Sequence, residues 1–305
     1  MPDTNSPIGR ATQWLFNQAY VLLPLTMLMW AGNVTASKFA VDQVSPMAIV
    51  CLRWAIVCVV LLSFSRKDII RDLPVLKSRW PIIAGMGTLA FTGFNALFYI
   101  SAYETTAVNM TIIQSAIPVF VVLGAILFFG QRINLGQAAG LVLTILGVLV
   151  TASHGNLETL LNLSVNRGDL FMLIACAFYA AYALHLRSRP KVSDTAYFAA
   201  LALAAFVSSL PLLAIEIAQG KAYWPTPTGW LTLLYIGIFP SLLGQIFFIR
   251  SVQLIGPSRA GLFNNLMPVF GIILSIVLLG EAFGLYQMAA MVLVIGGILI
   301  AERLR

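Results

Sequence analysis

The side chains of this chain that could do chemistry are polar and aromatic groups placed inside long apolar stretches. Most are neutral: Trp30, Asn33, Asn95, Tyr99, Tyr103, Gln114, Ser115, Tyr179, Tyr182, Gln245, Asn264 and Asn265. Amides and hydroxyls can bond a carboxylate and an ammonium group, and the faces of Tyr and Trp can pack against an apolar moiety. An ammonium group can also lie over an aromatic face. The set therefore suits an amphipathic zwitterion.

The spacing of these residues predicts that several of them share a helix face. Trp30 and Asn33 are three residues apart, and Asn95, Tyr99 and Tyr103 follow one another at intervals of four. Polar side chains in lipid are costly, so they face the interior of a bundle or a watery cavity. We expect the set to line a cavity. The alternative for any one residue is a hydrogen bond between helices, which contributes about 0.6 kcal/mol on average.

Ten apolar runs along the chain are long enough to position these side chains within a membrane. They lie near 20–40, 46–64, 81–102, 107–129, 134–152, 169–187, 195–217, 229–250, 257–280 and 284–302. About 20 apolar residues are needed to cross the hydrocarbon core as a helix. Backbone groups in lipid must be bonded within the segment, so runs of this length are expected to be helices.

The composition also indicates a membrane protein. Sixty per cent of the residues are hydrophobic, 10% are charged and the mean hydropathy is +0.92, whereas soluble domains carry about 25% charged residues. The net charge of +7 does not indicate nucleic-acid binding, because the basic residues lie in short gaps between apolar runs. Cys51, Cys58 and Cys176 are expected to be buried hydrophobes. With only two His, the sequence offers no evident catalytic cluster or metal site, so we expect no enzyme.

The second half of the chain repeats the first at an offset of 150 residues. Between 118 and 151, thirteen of the thirty-four positions are identical to their partners, including Pro118-Val119-Phe120 with Pro268-Val269-Phe270. Each half holds five spans, and because five is odd the second copy must enter the membrane upside down. The predicted fold is all-α integral membrane, with ten transmembrane helices as two inverted five-helix repeats. That arrangement is typical of carriers with alternating access.

The distribution of basic residues predicts that both termini are cytoplasmic. With the N-terminus inside, fourteen of the eighteen Lys and Arg residues fall on that side: Arg10, Arg66, Lys67, Arg71, Lys77, Arg79, Arg132, Arg187, Arg189, Lys191, Arg250, Arg259, Arg303 and Arg305. Residues 1–19 then form a cytoplasmic N-terminal segment. The first repeat occupies 20–152 and the second occupies 169–302.

Two cations, Lys38 and Arg53, are predicted to lie nearest the periplasmic mouth, where they could line a gate or attract a carboxylate. Lys38 is near the end of the first span, so its side chain could instead extend to the interface. Arg53 is about two turns into the second span, where it needs a carbonyl or carboxylate partner. Glu104 and Asp42 have suitable depth for that role.

Pro118 and Pro268 occupy the same position in the fourth span of each repeat. A proline within a helix removes one hydrogen bond and frees the carbonyl four residues earlier. The freed carbonyls here belong to Gln114 and Asn264, which are themselves polar. We predict that both helices bend beside the cavity and that the bends act as hinges, with a static kink as the alternative.

Several short motifs carry a resemblance to a known family. The sequence Trp-Ala-Gly-Asn at 30–33 is followed by Lys38, and Pro-Val-Phe in the second copy is followed by Gly280-Glu281. These features resemble EamA-domain proteins, the ten-helix branch of the drug/metabolite transporter superfamily, over residues 20–302. Within it the chain looks most like the YddG-type amino-acid exporters, whose substrates include aromatic amino acids. Gln131 departs from the Glu that the family usually has at this position.

The resemblance implies export of small metabolites, chiefly amino acids, across the inner membrane of a bacterium without a metal or nucleotide cofactor. A broad-specificity drug or nucleoside exporter of the same fold is the alternative. The expected partners are the small-molecule substrate and the lipid bilayer and not nucleic acid, with a monomer as the simplest oligomeric state. A channel would instead show charged rings or a filter loop, which the sequence lacks.

The positions of the acidic residues favour a facilitator over a proton-coupled carrier. Proton-coupled carriers usually keep an ionisable group within the membrane. Glu104, Asp169, Glu216 and Glu281 all lie at predicted helix ends. Proton exchange stays open as an alternative, because an acid at a helix end can enter a cavity when a gate opens.

Overall fold

The computed structural model describes residues 13–156, 158, 166–185, 189–256, 260 and 263–303. Within these residues the chain is helical and contains no strand. The helices are α1 (Ala19–Ala40), α2 (Pro46–Phe64), α3 (Arg66–Ser78), α4 (Trp80–Glu104), α5 (Ala107–Phe129), α6 (Leu135–Ala152), α7 (Arg167–His185), α8 (Asp194–Ala218), α9 (Pro227–Ile255), α10 (Phe263–Leu279) and α11 (Leu285–Arg303).

Eight of the described helices, α1, α2 and α4 to α9, are long and apolar enough to cross a membrane. The helix α10 and the stretch Leu285–Ala301 of α11 are shorter apolar segments that match the last two predicted spans. Parts of the predictions lie outside the described residues, namely residues 186–187, 257–259 and 261–262, the first twelve residues of the chain and the last two. A helix satisfies its own backbone hydrogen bonds, as hydrocarbon requires. The fold is therefore that of an all-α membrane protein, as the sequence predicts.

One helix, α3, has no counterpart among the ten predicted spans. It is rich in charged residues, and Leu76 is its buried residue. Asp72 accepts a hydrogen bond from the backbone N–H of Ser193 at 2.7 Å and one from the Arg71 guanidinium at 3.0 Å. These two donors hold the pKa of the Asp72 carboxyl well below its usual range. The ionised carboxylate thus joins α3 to the start of α8, and we call this side of the bundle the Asp194 end.

The two repeats run through the bundle in opposite directions. Near the C-terminal end of α1, Lys38 Nζ donates to the carbonyl oxygens of Ala102 (2.5 Å) and Thr105 (2.8 Å). The hydroxyl of Thr105 in turn donates to Asp169, at the N-terminal end of α7 (2.6 Å). The helices α1 and α7 are repeat equivalents, yet the last turn of one and the first turn of the other lie on the same side. We call this side the Asp169 end.

The packing of the helices is also symmetric between the two repeats. The helix α6 packs on α11 and α2 packs on α8, so each of these helices contacts its own repeat equivalent. The helix α1 packs against α9 and α10, just as α7 packs against α4 and α5. These contacts describe two inverted units related by an axis in the membrane plane.

The contact between α6 and α11 is close because glycines lie on both sides of it. A Cβ added to Gly140 would overlap the carbonyl oxygen of Gly297, and a Cβ added to Gly297 would overlap the side chain of Thr144. Gly147 packs in the same way against α11, beside Val294. Small residues allow helix backbones in a membrane to approach one another. We call this contact the glycine seam.

We predict that Gly297→Ala lowers the thermal unfolding midpoint of the detergent-solubilised protein, because the added methyl group must separate the two helices. Overpacking of this kind costs about 1–3 kcal/mol. Gly296→Ala is the matched control, because a Cβ there meets nothing within 4 Å, and alanine favours the helix. Circular dichroism during heating measures both midpoints. Equal midpoints for the two variants would show that the seam tolerates a methyl group.

Candidate functional site

A cavity of about 170 Å³ lies between the two repeats. Helices α1, α2, α4 and α5 line it from the first repeat, and α7, α9, α10 and α11 line it from the second. The structure places these residues named from the sequence on its wall: Trp30, Asn33, Arg53, Asn95, Gln114, Ser115, Pro118, Tyr179, Gln245, Asn264, Asn265 and Pro268. The cavity is thus formed by residues that lie far apart in the chain.

Three tyrosines expected on the cavity wall lie elsewhere, namely Tyr99, Tyr103 and Tyr182. Tyr103 is at the Asp169 end, where its hydroxyl is 2.6 Å from the hydroxyl of Tyr223. It shares a helix face with Asn95, but it is two turns further along α4 and lies beyond the cavity. Tyr182 is 5% exposed and packs in the core, with its ring centroid 5.5 Å from that of Phe91. Helical spacing sets the face of a residue and does not set its depth or its neighbours.

Arg53 is the cation on the cavity wall, and it is held by three neutral side chains. Its Nη1 donates to Asn95 Oδ1 at 2.5 Å and to the Tyr99 hydroxyl at 2.6 Å. Its Nε and Nη2 donate to Ser241 Oγ, at 3.0 and 2.6 Å. Because Ser241 belongs to α9, these bonds join the two repeats at the cavity.

Of the carbonyl and carboxylate partners expected for Arg53, the structure shows a carbonyl oxygen, that of the Asn95 side chain, and neither of the two acids. Neither Asp42 nor Glu104 pairs with it, and none of the ion pairs among the described residues includes this guanidinium. Asp42 follows the end of α1 and Glu104 is the last residue of α4, both at the Asp169 end, whereas Arg53 points into the bundle. Tyr99, predicted as a cavity residue, is 1% exposed and lies behind the wall, where it donates to Asn33 at 3.1 Å.

Lys38 does not line the cavity either. Its ammonium bonds two carbonyl oxygens at the C-terminal end of α4, those of Ala102 and Thr105. A cation at a helix C-terminus satisfies carbonyls that lack an intrahelical donor and interacts favourably with the helix dipole. The two bonds join the end of α1 to the end of α4. A gate-lining or carboxylate-attracting role for Lys38 stays a prediction.

Two π-helical turns face the cavity at equivalent positions of the repeats, and the sequence did not predict them. They span Gly87–Gly93 in α4 and Gly237–Leu243 in α9. A π turn disrupts the regular helical hydrogen bonds and leaves carbonyl oxygens in need of donors. Trp54 Nε1 donates to the Phe91 carbonyl at 3.0 Å, and Trp30 Nε1 donates to the Pro240 carbonyl at 3.1 Å. The indole rings of the site are fixed by these irregular turns.

Sequence reasoning missed nine further wall residues: Trp54, Ala90, Phe91, Phe94, Ile117, Pro240, Ser241, Met267 and Ile298. All of them except Ser241 are apolar, so nothing distinguishes those eight from core residues within an apolar run. Two signals in the sequence could have found some of them. Phe91 and Ser241 are equivalent positions of the repeat, and Pro240 is a proline within a predicted span. Among the described residues, no group of three or more His, Cys, Asp and Glu could hold a metal ion.

The helices that carry Pro118 and Pro268 are irregular where they meet the cavity. The helix α5 is interrupted after Gln114 and resumes at Ile117, so Pro118 lies in the first turn of the second segment. The helix α10 begins with a 3₁₀ turn at Phe263–Asn265, shortly before Pro268. Irregular backbone at membrane depth is tolerated where it lines a cavity. Whether these breaks act as hinges stays a prediction.

The bundle is closed at the Asp169 end. There the Glu281 carboxylate accepts hydrogen bonds from the backbone N–H groups of Ala107 (2.8 Å) and Val108 (3.0 Å), at the start of α5. The hydroxyl contact of Tyr103 with Tyr223 also crosses between the repeats. These bonds join the second repeat to the first on the periplasmic side of the predicted topology.

The described residues leave the bundle less closed at the Asp194 end. Asn264, on the wall near the start of α10, is exposed, whereas its repeat equivalent Gln114 is half-buried. Ile113 is 0% exposed, while its equivalent Phe263 is half-buried. A cleft of about 460 Å³ also lies between the start of α8 and the end of α9. The exposure of Asn264 indicates that the Asp194 end is the more open side of the cavity.

Two inverted helical repeats around a central polar and aromatic cavity define the architecture of a secondary membrane transporter. The comparison with protein families agrees with this class. The EamA-like transporter family matches residues 17–153 and again residues 166–302, and the chain belongs to this family.

Individual relatives are distant but extend over most of the chain. The chain is 26% identical over 289 residues to the uncharacterized transporter YyaM of Bacillus subtilis, covering 93% of each protein. It is 26% identical over 287 residues to a probable amino-acid metabolite efflux pump of Salmonella typhimurium, covering 90% of this chain and 92% of the pump. A crystal structure with 18% identity matches 94% of this chain and 99% of the other with a TM-score of 0.62. That last likeness concerns the fold alone.

We predict that Pro118→Ala combined with Pro268→Ala slows turnover while substrate affinity changes little. The expected cause is that regular helices no longer bend beside the cavity. Pro211→Ala is the matched control, because Pro211 lies within α8 and is exposed away from the cavity. Initial rates in proteoliposomes, together with binding measured separately, test the prediction. A double variant with wild-type turnover would leave the prolines as static kinks.

Proposed function

We propose that the protein exports small metabolites, chiefly amino acids including aromatic ones, across the inner membrane by alternating access. The observation that carries the proposal is the central cavity, whose wall combines amides, hydroxyls and aromatic rings from both repeats. The name of one relative, a probable amino-acid metabolite efflux pump, supports the same substrate class. The proposal groups the protein with the YddG-type exporters that its sequence resembles.

The charge distribution supports the proposed orientation. Basic residues that flank the described helices, such as Arg66, Arg189 and Arg250, lie toward the Asp194 end. By the positive-inside rule this end faces the cytoplasm, which makes both termini cytoplasmic. The same end is the more open side of the cavity, so substrate would enter from the cytoplasm, as export requires. The repeats at 20–152 and 169–302 are then the two units that rock against each other.

The wall chemistry supports an amphipathic substrate. The rings of Phe94 and Tyr179 lie 5.5 Å apart on the wall, and with Trp30 they form an aromatic surface for an apolar side chain. Gln114 Oε1 has no hydrogen-bond partner among the described residues. Pro118 has no N–H to offer the backbone carbonyl of Gln114. These two oxygens are acceptors suited to an ammonium group.

The proposed energy source is the substrate gradient. The residues described on the cavity wall include no Asp, Glu or His that could exchange a proton during transport. A facilitator needs no such group, because the cytoplasmic concentration of the substrate drives its exit. Proton exchange through an acid at a helix end is the competing mechanism.

We expect proteoliposomes that contain the protein to take up labelled phenylalanine by counterflow, and unlabelled aromatic amino acids to compete better than nucleosides or sugars. Ser115→Phe should abolish uptake by filling the cavity. Ser63→Phe, at an exposed position of α2, is the matched control and should transport normally. Competition by nucleosides and varied drugs equal to that by amino acids would favour the broad-specificity exporter instead.

We expect uptake to be unchanged when a protonophore collapses an imposed pH gradient across the liposome membrane. The physical reason is that a facilitator moves no proton with its substrate. Initial rates measured with the gradient in either direction, and without it, give the comparison. A rate that follows the sign of the gradient would establish proton exchange.

A further inference from the structure

The cavity contains a positive charge that the protein itself does not neutralise. Arg53 is 4% exposed and lines the cavity. The ion pairs among the described residues do not include it, and the described wall has no acidic residue. An unpaired charge in a low-dielectric interior is costly and is normally paired. A group that enters the cavity with a negative charge would therefore gain from this cation.

The hydrogen bonds of Arg53 leave one donor available. An arginine has five N–H groups. Four are used by neutral acceptors: Asn95 and Tyr99 take those of Nη1, and Ser241 takes that of Nε and one of Nη2. The second N–H of Nη2 has no partner among the described residues. The three acceptors orient the guanidinium without removing its charge.

The same network sets the direction of a second donor, the amide of Asn33. Arg53 can only donate, so the oxygen of Tyr99 must accept from it. The hydroxyl proton of Tyr99 is then free to bond Asn33 Oδ1. With its oxygen engaged in this way, Asn33 is left with the Nδ2 donors, which have no partner among the described residues. Asn33 lies on the cavity wall.

We propose that Arg53 and Asn33 together form a carboxylate-binding site, and that Tyr99 is the residue that positions both. The site gives the transported molecules a common feature, one carboxylate group, with an apolar or aromatic remainder against the rest of the wall. Charge-assisted hydrogen bonds from a guanidinium to a carboxylate are about twice as strong as neutral ones. This inference deepens the proposed function, because it rests on the cavity being the transport site.

The neighbours of Arg53 also favour a fixed position for the charge. The guanidinium carbon lies 5.2 Å from the centroid of the Trp54 ring and 5.6 Å from that of Tyr99. An arginine held on two rings and three acceptors loses little further entropy when a ligand binds. Neutral nucleosides and cationic drugs lack the group that such a site selects.

Four probes that differ only in their charged groups test the site on the full-length purified protein. Phenylalanine has a carboxylate and an ammonium group, 3-phenylpropanoate has the carboxylate alone, and phenylalaninamide and phenethylamine have the ammonium alone. Binding is measured by the change in intrinsic tryptophan fluorescence or by isothermal calorimetry. We expect phenylalanine and 3-phenylpropanoate to bind at least about tenfold more tightly than phenylalaninamide and phenethylamine. A tenfold factor corresponds to about 1.4 kcal/mol.

Four variants test the assignment, and one of them is a control. Arg53→Gln should remove the preference for carboxylates and leave the two ammonium probes unchanged, whereas Arg53→Lys should keep part of it. Tyr99→Phe should reduce the preference by a few fold, because Asn33 loses its fixed orientation while the charge stays. Lys67→Gln removes the same charge from an exposed position of α3 and should leave the preference intact.

The outcomes separate this inference from the proposed function. Three results would overturn the carboxylate site. The wild type could bind the carboxylate probes and the ammonium-only probes equally, or it could bind neither carboxylate probe. The third result is a preference for carboxylates that survives in Arg53→Gln. Should Arg53→Gln fail to fold, the ratio of acid to amide affinity in Tyr99→Phe and Arg53→Lys decides, and an unchanged ratio in both overturns the site. Amino-acid transport that continues in any of these cases keeps the proposed function. If the protein binds the carboxylate probes but does not transport amino acids, the carboxylate site is kept and the proposed function is overturned.

Discussion

A guanidinium buried between the repeats is the constraint on which the rest of the cavity depends. Arg53 requires acceptors at membrane depth, and Asn95, Tyr99 and Ser241 supply them from two helices that belong to different repeats. Ser241 in turn lies within a π-helical turn and donates to a carbonyl five residues earlier. The π-helical turn of α9 therefore places Ser241 where it can accept the hydrogen bonds of the Arg53 guanidinium. A regular helix there would turn this serine in another direction.

The charge also breaks the symmetry of an otherwise two-fold bundle. The helix α8, which is the repeat equivalent of α2, contributes no residue to the described cavity wall. The equivalents of Asn95 and Phe91 are Gln245 and Ser241, so these positions keep polar or wall-forming residues in both halves. The duplicated fold thus supplies the geometry of the cavity. Its chemistry comes from single positions at which the copies have diverged.

Hydropathy and the internal repeat were sufficient to predict the membrane helices and their inversion, because both depend on many residues at once. The polar residues within the spans could be assigned to the interior of the bundle, because lipid excludes polar side chains. The depth of Tyr103, the partners of Arg53 and the capping role of Lys38 depend on neighbours that are distant in the chain. Phe91 and Trp54 resemble any core aromatic, and the π-helical turns have no simple periodicity that could reveal them.

The glycine seam determines which surfaces can change during a transport cycle. At Gly140 and Gly297 the backbones of α6 and α11 approach each other closely, so we expect this pair to pivot as one unit during transport. Displacements must then increase with distance from the pair, toward the mouths formed by α1, α5 and α10. An antibody fragment that recognises the rim of α6 and α11 should therefore bind every conformation equally and permit turnover. One that recognises the opposite rim should hold the protein in a single state.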